Sequence, residues 1–280
     1  MRVGFIGLGR MGRPMSDSLA RAGNELLLCD LRPEITAELA ARYRASAATI
    51  AEIAGRADAA VLSVPGPPES AAILAGILAA ARPGFLVVDT TTVTLAHSRE
   101  MARLAEPKGV DYLDAPVSRG GQGGLTMMVG GARAAFERAR PLLAQIAEPV
   151  CFVGASGSGT AMKLVGQSIY VTYLAAFAEG LSLAEAFGVP FETALACLGS
   201  AAAGDPLITT MYDALHGRPG RSFPVTHAVQ YFDYADATFD GVDARKPIID
   251  AAAASLRRAL AQGVEDDLIA ARRRYLAPNG

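Results

Sequence analysis

A doubly wound, mostly parallel α/β sheet followed by an all-helical segment is the fold this 280-residue sequence predicts, and three observations carry it. An apolar run at 3–6 leads straight into a Gly7-x-Gly9-x-x-Gly12 turn. Short β-rich apolar runs then recur at 25–29, 59–64, 85–88, 112–114, 125–129 and 150–153, with helix-period segments between most of them. That alternation belongs to a parallel sheet covered by helices. After Gly159 the strand signals stop, and an Ala/Leu-rich stretch from about 160 to 187 reads as one long helix broken by Gly188 and Pro190.

The first strand, the glycine turn and the helix at 11–22 form a dinucleotide-binding pattern. Gly7 supplies the backbone angles of the turn, Gly9 lets a pyrophosphate reach the main chain, and Gly12 lets the helix pack closely on the strand. Leu8, Arg10 and Met11 complete the turn, whose N–H groups face the phosphates. The second strand ends at Asp30, about 20 residues past the glycines, where an acid accepts ribose hydroxyls. Asp30 therefore favours NAD over NADP. Arg32 tempers this, because a guanidinium there could pair with a 2′-phosphate, and a plain capping role for Asp30 on the helix after Pro33 is the structural alternative. The strand at 59–64 is stopped by Pro65, so Val64 and Pro65 sit in a loop at the carboxyl edge of the sheet; Asp89-Thr-Thr-Thr92-Val93 ends the next strand in the same way. Open α/β sheets bind ligands at that edge.

The pattern divides the chain into a dinucleotide-binding domain at 1–160 and a helical domain at 161–280, with breaks expected at Gly199, Gly204, Gly217 and Gly241. Hydrophobic residues make up 51% of the chain, enough for a substantial core. A formal net charge of −2 with dispersed basic residues offers no footprint for nucleic acid or an anionic membrane. No apolar run reaches the roughly 20 residues of a membrane span, and no secretory signal pattern opens the chain, so a cytoplasmic location is the expectation. Cys29, Cys151 and Cys197 are widely spaced and offer no zinc pattern, so no metal is expected. The helical part is too apolar to be solvated all round, which points to a homodimer or homotetramer.

Two further segments carry chemistry. Asp114-Ala-Pro-Val-Ser118-Arg119-Gly120-Gly121 reads as a glycine-rich loop whose N–H groups, Ser118 hydroxyl and Arg119 guanidinium suit a carboxylate. Gly154-Ala-Ser-Gly157-Ser-Gly159 feeds the long helix and puts Lys163 in its first turns, with Gln167 four residues on and hence on the same face. The apolar neighbours Met162, Leu164 and Val165 imply a buried lysine, and burial near a helix N-terminus lowers proton affinity toward the range where a side chain shuttles protons at neutral pH.

With these segments in order, the chain resembles the β-hydroxyacid dehydrogenase family, which includes 3-hydroxyisobutyrate, tartronate semialdehyde and 6-phosphogluconate dehydrogenases. The resemblance covers essentially the full length. Its carriers are Gly-Phe-Ile-Gly-Leu-Gly-Arg-Met-Gly at 4–12, Asp89-Thr-Thr-Thr92, Asp114-Ala-Pro-Val-Ser118, Met128-Val-Gly-Gly131 and Gly157-x-Gly159-x-x-x-Lys163. It implies a Rossmann domain joined by a long interdomain helix to an all-helical dimerisation domain. It further implies pyrophosphate contacts from Gly7, Gly9 and Gly12, Thr92 near the nicotinamide, Ser118 and Gly120 on a small-molecule carboxylate, and Lys163 as general acid/base in hydride transfer.

Three departures from the family pattern alter the expected pocket. Gln167 stands where asparagine is usual. Arg119 replaces a glycine, adding or relocating an anion clamp, and the loop that follows is shorter. Phe232-Asp233-Tyr234 stands for a Lys-Asp-Leu motif, which makes Phe232 a more apolar wall beside Asp233 in the substrate site. Imine reduction on the same architecture is one alternative, disfavoured because imine reductases typically replace the lysine. A non-catalytic dinucleotide-binding protein is the other.

Overall fold

The computed structural model of the chain describes residues 1–119, 124–200, 224–242 and 245–265. Its first elements alternate as β1 (Arg2–Ile6), α1 (Gly12–Arg21), β2 (Glu25–Cys29), α2 (Pro33–Tyr43), β3 (Ser46–Ala47), α3 (Ile50–Arg56), β4 (Ala59–Leu62), α4 (Pro67–Leu78), β5 (Leu86–Asp89), α5 (Leu95–Ala105) and β6 (Asp111–Asp114). β7 (Val117–Arg119), β8 (Leu125–Gly130), α6 (Arg133–Leu143) and β9 (Val150–Gly154) close the sheet, and α7 (Ser158–Ala186) follows. Beyond it lie α8 (Phe191–Ser200), α9 (Val225–Phe239) and α10 (Pro247–Ala261).

Strands β3-β2-β1-β4-β5-β6 pair in that order and are all parallel. This is the Rossmann order, reversing direction between β1 and β4, so the ligand crevice opens beside the turn that follows β1. β6 and β7 both pair antiparallel with β8, which pairs parallel with β9. Successive residues of each inner strand serve opposite faces, as the two-residue period requires. Val3, Phe5, Val61 and Val88 pack with Met15, Leu19, Leu39 and Phe136 from α1, α2 and α6. Ile6, Ala60, Leu62 and Val87 pack with Ile53, Ile73, Ile77 and Met101 from α3, α4 and α5. Burial on both faces explains why these strands read as continuous apolar runs rather than alternating ones.

The chain divides into two compact units, Met1–Lys163 and Leu164–Gly280, with the division inside α7. The second unit has its own core, built around Val171, Leu174, Phe177, Val229, Phe232 and Leu256. Three local readings change. The segment expected as a loop after 114 contains β7, held by the register Ser118↔Thr126. The two-residue edge strand β3, exposed at both residues, carried no apolar signal. Gly199, expected as a break, lies within α8; the breaks at Gly204 and Gly217 fall outside the described residues. Among the described residues no helix is long and apolar enough to cross a membrane, and no group of His, Cys, Asp or Glu could hold a metal ion.

Candidate active site

The glycine turn is built by steric necessity at two positions and left open at a third. Gly7 has φ +92°, and a Cβ there would lie 2.2 Å from the Ser63 carbonyl oxygen. A Cβ on Gly12 would lie 1.9 Å from the Gly7 carbonyl oxygen, so α1 can start this close to β1 only with glycine. At Gly9 a Cβ would meet nothing within 4 Å. The N–H groups of Gly9, Arg10 and Met11 find no acceptor among the described residues, whereas the Leu8 N–H donates to Asp30 Oδ2 at 2.7 Å. An open approach at Gly9 flanked by unsatisfied N–H groups at a helix start fits the pyrophosphate of a dinucleotide.

Asp30 is not a helix cap. Its Oδ1 accepts from the Arg32 N–H and from Arg32 Nε, both at 3.0 Å, while Arg32 itself takes the N-cap position of α2. Burial pushes the Asp30 carboxyl up, but the Arg32 side chain, the Arg32 N–H and the Leu8 N–H outweigh it and hold the group below the ordinary aspartate range. Asp30 thus keeps its charge, and the Arg32 guanidinium is drawn onto it, with Nη2 also donating to Oδ2 at 3.4 Å.

The loops after β4 and β5 lie along the same sheet edge. Val64 donates its N–H to Thr91 Oγ1 at 3.4 Å, tying the two loops together, and Pro65 is exposed beside it. Asp89, buried at the end of β5, accepts from Ser70 Oγ (2.5 Å), Tyr112 OH (2.9 Å) and the Thr91 N–H (2.9 Å). Ser70 gives its single proton to that carboxylate, so the 3.1 Å contact between Ser70 Oγ and His97 Nε2 is donated by the imidazole. Burial, then the nearby Asp89 charge, raises Tyr112 well above the usual phenol range and keeps it a donor. This network fixes the turn that carries the half-buried Thr92.

One strand over, Asp114 stands in register with Asp89. Only 1% exposed, it accepts the Gly157 N–H on Oδ1 at 2.7 Å and the Thr160 N–H on Oδ2 at 2.8 Å, capping the start of α7. Ser98 Oγ and Thr160 Oγ1 pair at 2.8 Å on the same turn. Lys163 and Gln167 follow one helical turn apart, 6% and 8% exposed, and neither has a hydrogen-bonding or ionic partner among the described residues. Burial alone pushes the Lys163 ammonium down to about 8. A buried, unpaired amine close to neutrality is poised to exchange a proton.

Other expected site residues fare differently. Ser118 is half-buried in β7; the Arg119 side chain and Gly120 lie outside the described residues. Phe232, expected as a pocket wall, is 1% exposed and packs in the core of the second unit. Asp233 is paired with Arg257, whose Nη2 lies 2.7 Å from its carboxylate. The sequence marks Asp89 and Asp114 only as parts of motifs, without the buried anchoring roles seen here, and gives no sign of Ser98 or Thr160. A signal existed for the acids, since both follow apolar residues at the ends of short strands, Leu-Val-Val before Asp89 and Tyr-Leu before Asp114, where a buried carboxylate must find N–H or O–H donors.

The family model for the NAD binding domain of 6-phosphogluconate dehydrogenase matches residues 2–156, and that for the NAD-binding domain of NADP-dependent 3-hydroxyisobutyrate dehydrogenase matches residues 157–275. The chain is 33% identical over 206 residues to 2-(hydroxymethyl)glutarate dehydrogenase of Eubacterium barkeri, covering 71% of this chain and 68% of that protein. It is 34% identical over 207 residues to 2-hydroxy-3-oxopropionate reductase of Escherichia coli, covering 71% and 70%. A solved 3-hydroxyisobutyrate dehydrogenase from Salmonella typhimurium superposes with a TM-score of 0.86 at 29% identity, over 98% of this chain and 99% of the other.

Proposed function

The chain belongs to the β-hydroxyacid dehydrogenase family, and from that premise we propose that it interconverts a small β-hydroxy acid and its semialdehyde with Lys163 as the proton carrier. It is an NAD(P)-dependent oxidoreductase acting on a CH–OH group. The substrates in the relatives' names share an alcohol or aldehyde carbon β to a carboxylate and differ in what the α-carbon bears. The observation that carries the assignment of Lys163 is its burial without a counter-ion, one turn from Gln167.

Bound NAD(P) supplies the hydride acceptor in oxidation and the donor in reduction. The N–H groups of Gly9, Arg10 and Met11, which have no acceptor among the described residues, would hold the pyrophosphate, Asp30 would read the ribose, and Thr92 would border the nicotinamide end. Ser118, with Gly120 and Arg119, holds the substrate carboxylate. As the β-carbon loses its hydride, Lys163 Nζ takes the hydroxyl proton, and it returns that proton when the aldehyde is reduced. Gln167 orients the oxygen through its amide. Initial rates with NAD and a panel of 3-hydroxyisobutyrate and 2-(hydroxymethyl)glutarate test the reading. Turnover of at least one is expected; NAD binding with no turnover of any β-hydroxy acid or semialdehyde overturns it in favour of a non-catalytic role.

NAD is expected to be preferred over NADP by about 10-fold or more in kcat/KM, the worth of one charge-assisted hydrogen bond, because Asp30 is ionised and keeps Arg32 occupied. Asp30→Ala frees the guanidinium, so the same kinetics should show the preference narrowing or inverting. Equal or better kcat/KM with NADP in the unaltered protein would show that Arg32 dominates.

Along α7, Met162, Val165, Ile169 and Leu183 are exposed large apolar side chains at helical spacing, and Phe187 just beyond is 84% exposed. Such a stripe is unfavourable in water. It supports assembly as a homodimer or homotetramer, and light scattering at micromolar concentration is expected to give at least twice the 29.0 kDa chain mass. A monomer mass would remove this part of the proposal.

A further inference from the structure

We propose that Asp114 is a positioning residue for Lys163, its buried carboxylate fixing where α7 begins against the strand that leads to Ser118. The inference rests on the reading of Lys163 as proton carrier. Asp114 ends β6, and Ser118 lies four residues on in β7, so one short segment carries both the substrate hold and the cap. Each carboxylate oxygen receives one N–H of the helix start, from Gly157 and Thr160. Thr160 is three residues before Lys163, less than one helical turn. A shift or rotation at the cap is therefore carried to the lysine without an intervening joint.

The surrounding packing leaves no slack. A Cβ on Gly159 would lie 2.4 Å from the Met128 carbonyl oxygen and 2.6 Å from that of Asp114, and a Cβ on Gly130 would lie 2.6 Å from Asp114 Oδ1. Backbone thus meets backbone where β6, β8 and α7 converge, and the Asp114 carboxylate is the polar connection across that contact. Ser98, fully buried on α5, adds a second tether through the Thr160 hydroxyl. Asparagine at 114 keeps one acceptor but turns an NH2 toward the other N–H, which must move away.

The test is a double-mutant cycle on the full-length protein, using the acid from the substrate panel with the highest kcat/KM. Asp114→Asn should lower kcat by about 10- to 100-fold, the range for a misplaced catalytic group, while KM and NADH affinity, read by fluorescence titration, change less than about threefold. Combined with Lys163→Ala, the same substitution should cause no further loss, because a positioning residue has nothing left to position. An unchanged kcat in Asp114→Asn, or an equal loss in both backgrounds, overturns the positioning role and leaves Lys163 as proton carrier standing. Retained activity in Lys163→Ala alone overturns both. If Asp114→Asn does not fold, as judged by NADH binding, the cycle is run with Ser98→Ala. A loss of about threefold, confined to kcat and absent without Lys163, supports the tethered helix start, and an unchanged kcat overturns it.

Discussion

Lys163→Ala is expected to lower kcat by about 100-fold or more, the usual loss when a general acid/base is removed, while NADH still binds. The size follows from the absence of a substitute. Gln167, the buried polar neighbour on the same helix face, is an amide that neither gains nor loses a proton near neutrality, and among the described residues no ionic partner accompanies the lysine. Because burial pushes Lys163 down to about 8, the direction of the pH dependence is fixed as well. Oxidation needs the neutral amine, so its rate should rise with pH and level off above about 8. Reduction needs the ammonium, so its rate should fall across the same range. Both limbs should vanish in Lys163→Ala. Gln167→Ala should be milder and keep the limbs, since the amide orients rather than transfers. If Lys163→Ala binds cofactor and substrate and retains near-normal kcat, the proton carrier has been misassigned.

The parts of this fold legible in the sequence are those where a local pattern has one physical solution. An apolar strand followed by three spaced glycines leaves room only for a tight strand-to-helix turn, and inner strands buried on both faces announce themselves as apolar runs. Val117, Ser118 and Arg119 form too short a run to signal pairing by themselves, and the strand character of β7 comes from β8. Phe232 illustrates the opposite limit. A family motif assigned it to a pocket, but a large aromatic on α9 beside Val225, Ala228 and Val229 is what a helical core requires, and it packs there. Asp89 and Asp114 needed the sheet register before their roles appeared. Each looks like a polar strand end in one dimension, and its donors come from distant parts of the chain: Ser70 on α4 and Tyr112 on β6 for Asp89, and Gly157 and Thr160 at the start of α7 for Asp114.

Two glycines of the same turn are expected to fail for different reasons, which separates the nucleotide site from the fold. Gly12→Ala places a Cβ 1.9 Å from the Gly7 carbonyl oxygen, a backbone atom that no side-chain rotation relieves. Either α1 lifts from β1 or the turn opens, and overpacking of this kind costs about 1–3 kcal/mol or more. At roughly 2–4 °C per kcal/mol for a domain of this size, Tm should fall by several degrees, with cofactor binding lost because the turn is deformed. Gly9→Ala meets nothing within 4 Å and has no positive φ to strain it. Its Tm should stay within about a degree of the unaltered protein, since nothing in the fold opposes the methyl group and a substitution into open space is close to neutral. Affinity for NADH should nonetheless fall by about 10-fold or more, the worth of one charge-assisted N–H bond to a phosphate held off the main chain. Calorimetry and fluorescence titration on the two variants read these quantities separately. A Gly9→Ala protein that binds NADH normally would mean that the pyrophosphate does not lie over Gly9, whatever the fate of Gly12→Ala.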